Sequence, residues 1–159
     1  MKSNKKEKAD FGSGCFWGVE ELFRTTPGVV KTTVGYEGGH TDNPTYEQVC
    51  SHTTGHAETV QIEFDPGKTT YNKLLDVFFD NHDPTLLNKQ GFDVGDNYRS
   101  VIFYHDEDQK KLAQNKISEL AQSHKYKNPI VTQIIPAQTF WHAEDYHQQY
   151  LRKRNLGVC

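Results

Sequence analysis

The sequence predicts an α+β fold: a two-layer ferredoxin-like plait with a βαββαβ core, long loops and an irregular C-terminal tail. Three observations carry this. The elements run β-α-β-β-α-β-α-β, and the first six match a split βαβ plait. Two stretches, Val30-Thr32-Val34-Tyr36 and Val60-Ile62-Phe64, alternate with the period of a strand. Two others, Val19-Leu22-Phe23 and Tyr71-Leu74-Leu75-Phe78, recur at helical spacing.

Taken in order, a first strand falls around Ala9 to Ser13. A helix starts near Phe16 and stops before Pro27-Gly28. The first alternating stretch is the second strand, and Glu37 to Tyr46, rich in Gly, Asn and Asp, is loop. The second alternating stretch is closed by Asp65-Pro66-Gly67. A second helix runs to about Asn81. An irregular segment from His82 to Arg99 follows, long enough to suggest function rather than connection. Val101 to Tyr104 is a strand. Asp106 can cap a third helix carrying Leu112, Ala113, Ile117, Leu120 and Ala121, and Ile130 to Ile135 is a last strand stopped by Pro136.

With 159 residues the chain is expected to be one domain, 1–159, its polar residues 1–8 flexible and about 137–159 an irregular extension. Hydrophobic residues make up only 35%, but aromatics are 12%, and large rings bury much area each. The net charge of -3 and the lack of a basic stripe argue against nucleic acid. Met1 to Lys8 has no apolar stretch like a secretory signal, and no window is long enough to span a bilayer, so the expected location is cytoplasmic. A monomer is expected, with neither metal nor organic cofactor.

The chain has three cysteines, Cys15, Cys50 and Cys159, an odd and widely spaced set that suits neither a disulfide framework nor a zinc ribbon. Cys15 stands out, in Gly14-Cys15-Phe16-Trp17-Gly18. It falls at the start of the first helix, where free N–H groups and the helix dipole favour a thiolate nucleophile. Phe16 and Trp17 put apolar surface beside it. Glu58 shares the parity of Val60, Ile62 and Phe64. If the strand starts that early, the carboxyl is buried, keeps its proton near neutral pH and can act as a general acid; if not, it lies in water.

Tyr46, Tyr98 and Asp93 sit in polar loops, where packing or turn-forming roles compete with chemistry. Cys50, His52 and His56 lack the second distant pair of a zinc site, and His142 and His147 are wrongly spaced for a helical metal pair.

These residues resemble peptide methionine sulfoxide reductase A, the family that reduces the S epimer of methionine sulfoxide. The resemblance rests on Gly14–Gly18, Asn43–Cys50, Gly55–Glu58, Asn81–Pro84, Gln90–Gly95, Tyr98–Ser100 and Ala143–Tyr150, in family order across nearly the whole chain. It implies Cys15 as nucleophile and Glu58 as the acid that protonates the sulfoxide oxygen. Tyr46 and Tyr98 would hydrogen-bond that oxygen, and Phe16 and Trp17 would hold the methyl group. Asp93 would shape the polar side of the pocket, with His147 in the same surroundings. It also implies a two-layer plait and thioredoxin as reductant. By position Cys159 matches a family tail cysteine and is expected to resolve the Cys15 sulfenic acid. Cys50 is the competing resolver, and the reading favours a structural role for it.

Two rival readings share the Cys15 region. One is a cysteine hydrolase or acyl transferase with His82 or His147 as base. The other is a binding module that uses the Phe16/Trp17 surface without turnover.

Overall fold

The computed structural model describes residues 5–154. Its elements are β1 (Glu7–Gly12), α1 (Phe16–Arg24), β2 (Val29–Glu37), α2 (Tyr46–Cys50), β3 (Ala57–Phe64), α3 (Tyr71–Asp80), β4 (Lys89–Gln90), β5 (Asp93–Val94), β6 (Val101–Tyr104), α4 (Glu107–Gln122), β7 (Gln133–Pro136), β8 (Trp141–His142) and α5 (Tyr150–Lys153). Single 3₁₀ turns lie at Asp96–Tyr98 and Asp145–His147. The fold is mixed α/β, and cysteine 159 lies outside the described residues.

Six strands form one mixed sheet in the order β7-β6-β1-β3-β2-β8, while β4 and β5 form a separate hairpin. Within the large sheet β6 and β7 are parallel, and the other neighbours are antiparallel. One face of the strands carries Ala9, Phe11, Val34, Val60, Ile62 and Ile102. It packs against Val19 and Phe23 of α1 and Leu74, Leu75 and Phe78 of α3. Phe11 lies at the centre, its ring 5.3 Å from Phe23 and 4.9 Å from Phe78. A smaller cluster of Ala57, Val101 and Phe103 covers the opposite face with Ile135 and Ala137.

The helices start where local chemistry satisfies their free N–H groups. Thr70 accepts from the Lys73 N–H (3.2 Å), and Asp106 accepts from that of Gln109 (2.8 Å). α2 is held by a capping box between Thr45 and Gln48. Neither α2 nor the β4–β5 hairpin follows from the periodicity of the sequence, because each is too short to show one.

Several expected boundaries move. Glu7 and Lys8 are paired in β1, opposite Phe64 and Glu63, so flexibility does not extend to residue 8. Val30 is not on the buried face of β2. It is the extra residue of a bulge between Val29 and Lys31 and stands 50% exposed. The last long strand begins at Gln133 rather than Ile130, because it pairs only where β6 lies alongside. The segment expected to be irregular adds β8 to the sheet edge, a 3₁₀ turn and α5. β8 can approach because position 35 is glycine: a Cβ there would collide with the Trp141 carbonyl. No helix among the described residues is long and apolar enough to cross a membrane.

Candidate active site

β1 ends at Gly12, and Gly14, at φ 103, turns the chain so that α1 starts directly above β3. Cys15 is the extended N-cap residue of α1, and its side chain makes no capping bond. The backbone N–H groups of Trp17 and Gly18 face the sulfur without closing such a bond, and they favour its charged form. Glu58 lies in β3 beneath this turn and is only 1% exposed. Its Oε1 accepts the Phe16 N–H (3.2 Å), and its Oε2 accepts from Asn97 Nδ2 (3.1 Å). The acid and the thiol therefore sit on adjacent backbone, joined through the first amide of α1.

Burial pushes the Glu58 carboxyl up to about 7; the Phe16 and Asn97 donors pull it back, and the Asp93 charge adds to the rise. At neutral pH a large share of Glu58 holds a proton, as the strand parity predicts for its buried alternative. Cys15 departs from expectation. Burial, and then the Glu58 charge, push the thiol up to about 12, against the lowering effect of the Trp17 and Gly18 amides. The helix N-terminus acts as predicted but is outweighed, so the resting sulfur is a thiol and not a thiolate.

The other candidates gather around this pair. Phe16 is buried, its ring 5.1 Å from His147 and 6.4 Å from Tyr46. Trp17 Nε1 donates to His147 Nδ1 (2.8 Å). The Tyr46 and Tyr98 hydroxyls both reach the Cys50 sulfur, which places Cys50 within the candidate site. Burial, followed by the Glu58 charge, pushes the Tyr98 hydroxyl up to about 12, so both rings act as donors and not as anions. A groove of about 380 Å³ opens beside Cys15, with Trp17, Gln90 and Asp93 on its walls.

Three residues not among the sequence candidates complete the arrangement. Asn97 holds Glu58 as described. Glu144 accepts the Tyr46 N–H on Oε2 (3.0 Å) and the Tyr36 hydroxyl on Oε1 (2.8 Å), fixing the start of α2. Glu20, fully buried in α1, accepts the Gln149 N–H (2.6 Å) and the Thr32 hydroxyl (2.7 Å). It thereby ties the C-terminal segment to the helix that carries Cys15. Tyr150 continues this contact: its ring stacks on Trp17 at 3.7 Å, with the Arg154 guanidinium 3.8 Å from its other side.

The geometry disfavours the rival readings. Both ring nitrogens of His82 are engaged, by the Phe78 carbonyl (2.6 Å) and by Ser100 Oγ (2.8 Å), and burial pushes the ring down to about 4. His147 uses Nδ1 for Trp17 and turns Nε2 towards Glu144 (3.9 Å). Neither histidine is presented to Cys15 as a base. A binding module leaves the buried acid beside the thiol unexplained. His56 braces a loop, accepting the Gly39 N–H (3.0 Å) and donating to the Thr41 carbonyl (2.7 Å).

Comparison with known proteins agrees with this geometry. A family model described as peptide methionine sulfoxide reductase matches residues 7–159. The peptide methionine sulfoxide reductase MsrA of Geobacter sulfurreducens is 60% identical over 153 residues, which are 96% of this chain and 94% of that protein. Mxr1 of Saccharomyces cerevisiae in reduced form superposes with a TM-score of 0.88 at 38% identity, covering 100% of this chain and 91% of that one. The same yeast protein in complex with Trx2 gives 0.65 at 30% identity, covering 94% and 88%. The match spans the thiol, the buried acid and the segment clamped over Trp17, and the chain belongs to the peptide methionine sulfoxide reductase family.

Proposed function

We propose that this chain reduces methionine-S-sulfoxide, free or in proteins, to methionine, and that thioredoxin returns it to the reduced state. The observation that carries this is the placement of Glu58, a buried carboxyl that shares the first amide of α1 with Cys15. A sulfoxide sulfur is electrophilic, but its oxygen is a poor leaving group until protonated. Glu58 gives its proton to the oxygen as the Cys15 sulfur attacks, and Tyr46 and Tyr98 donate to the same oxygen. The carboxylate left behind takes the thiol proton. Hydrogen passes from sulfur to oxygen with no net gain or loss. The attack forms a bond between the Cys15 and substrate sulfurs as the substrate S–O bond breaks and the protonated oxygen leaves. That oxygen then adds to the Cys15 sulfur as the S–S bond breaks, leaving a Cys15 sulfenic acid and methionine. The Cys159 thiol then condenses with the sulfenic acid, releasing water and forming a disulfide. The thioredoxin dithiol reopens it by exchange, as the yeast relative's complex with Trx2 suggests. Phe16 and Trp17 hold the methyl group, while Asp93 and His147 shape the rest of the pocket.

We read the central strands, in the order β6-β1-β3-β2 with antiparallel neighbours, as a ferredoxin-like plait extended by β7 and β8. Residues 1–159 are read as one catalytic domain. Recycling through thiols suits a reducing compartment, and we assign the chain to the cytoplasm.

The test is NADPH consumption with thioredoxin, thioredoxin reductase and each sulfoxide epimer separately. Consumption with the S epimer alone is expected; none with either epimer ends the reading. A second test concerns Asn97. Its hydrogen bond favours the charged form of Glu58, so Asn97→Ala moves the basic limb of the single-turnover rate profile about one pH unit higher. An unmoved limb with a uniformly lower rate would leave Asn97 a structural role only.

A further inference from the structure

The β4–β5 hairpin and the segment that leads into it carry exposed apolar side chains. Phe92 is fully exposed, Leu87 is 70% exposed and Val94 65%. Leaving such side chains in water forgoes the gain of burying them, and grouped exposed apolar residues mark contact surfaces. The hairpin pairs Lys89 with Val94 and Gln90 with Asp93, so the turn is Gly91-Phe92, with Gly91 at φ 57. Phe92 is thus held at the tip.

The base of the hairpin is anchored beside the nucleophile. Gln90 lies against Gly14, so close that a Cβ added there would come within 3.0 Å of the Gln90 Cβ. The Gln90 amide both accepts from the Asp83 N–H (3.1 Å) and donates to the Asp83 carbonyl (2.6 Å), and the Gly95 N–H donates to the Asn88 carbonyl (2.8 Å). Asp93, between the two exposed residues, lines the groove that holds Cys15. The apolar tip is therefore the rim of the substrate groove, set rigidly against the residue before the nucleophile.

We propose that Leu87, Phe92 and Val94 form the docking surface for the polypeptide on either side of a methionine sulfoxide, engaging an apolar residue in an extended, unfolded stretch of the oxidised protein. The occupant follows from reach. Phe92 is two residues from Gln90, at most about 7 Å away, and an extended peptide covers that in two or three residues. A side chain two or three positions from the sulfoxide meets the tip, whereas free methionine sulfoxide ends inside the groove. The inference rests on the reductase reading and adds to it a preference for peptide-bound substrate.

The test is the double variant Phe92→Ser/Val94→Ser, both positions being exposed and outside the reacting groups. Its kinetics are measured on free methionine-S-sulfoxide, on a short peptide with leucine three residues from the sulfoxide, and against thioredoxin concentration. The expected result is kcat/KM for the peptide about 10-fold lower through KM, with the free substrate within about 2-fold of wild type. Unchanged peptide kinetics overturn the docking surface. A rise confined to the KM for thioredoxin also overturns it and assigns the tip to the reductant. If the wild-type chain turns over neither sulfoxide, the reductase reading fails first and takes this inference with it.

Discussion

Glu58→Gln lowers the single-turnover rate of methionine release by about 10²–10⁴-fold, the range for losing a positioned general acid. The variant suits the test because it keeps shape and hydrogen bonding. The new amide can still accept the Phe16 N–H through its oxygen. Its NH₂ would face the Asn97 amide, whose Oδ1 has no partner, so a turn of Asn97 restores a donor–acceptor pair. Only the transferable proton is lost. Wild-type rate, followed by rapid quench with one equivalent of substrate, should fall as pH rises through about 7, where Glu58 ionises. The variant should lack that limb. A near-wild-type rate, or the same limb in the variant, removes Glu58 from the mechanism.

Cys159→Ala should release about one methionine per chain and then stop when thioredoxin is the only reductant, because the one internal thiol left besides Cys15, Cys50, is held in α2 with its sulfur engaged by tyrosine hydroxyls. A sulfenic-acid probe should label Cys15 in that variant. Cys50→Ala should still form a disulfide and turn over. Cys50 is the last residue of a capped helix, and its sulfur is engaged by the Tyr46 and Tyr98 hydroxyls. In the proposed first step those hydroxyls turn to the sulfoxide oxygen, so Cys50→Ala should alter that step more than the second. An intramolecular disulfide in Cys159→Ala, found by counting thiols, would transfer the resolving role to Cys50.

The long elements were legible in the sequence because burial imposes a period on them. α1, α3, α4 and β3 lie where apolar spacing puts them, while parity alone leaves Glu58 either buried or in water, and the start of β3 at Ala57 decides for burial. What escaped has no period or depends on distant partners. α2 is announced only by Thr45 and Gln48, three residues apart. β8 is two residues long and exists because Gly35 leaves room. Asn97, Glu144 and Tyr36 act across sequence separations of 39, 98 and 108 residues, respectively, which no local pattern records. The protonation of Cys15 was misread for the same reason. The helix start is local and visible, whereas the burial and the carboxylate that outweigh it come from elsewhere in the chain.

The clamp of Glu20 on Gln149, with Tyr150 laid on Trp17, fixes one end of a short leash. Cys159 lies five residues beyond Arg154, and five steps of chain span at most about 18 Å. Tethering of this kind sets an effective concentration in the millimolar range or above. With Cys159 as the proposed resolving thiol, a sulfenic acid formed at Cys15 would meet it before a thiol diffusing in from a dilute pool, and loosening the clamp would give that advantage to outside thiols.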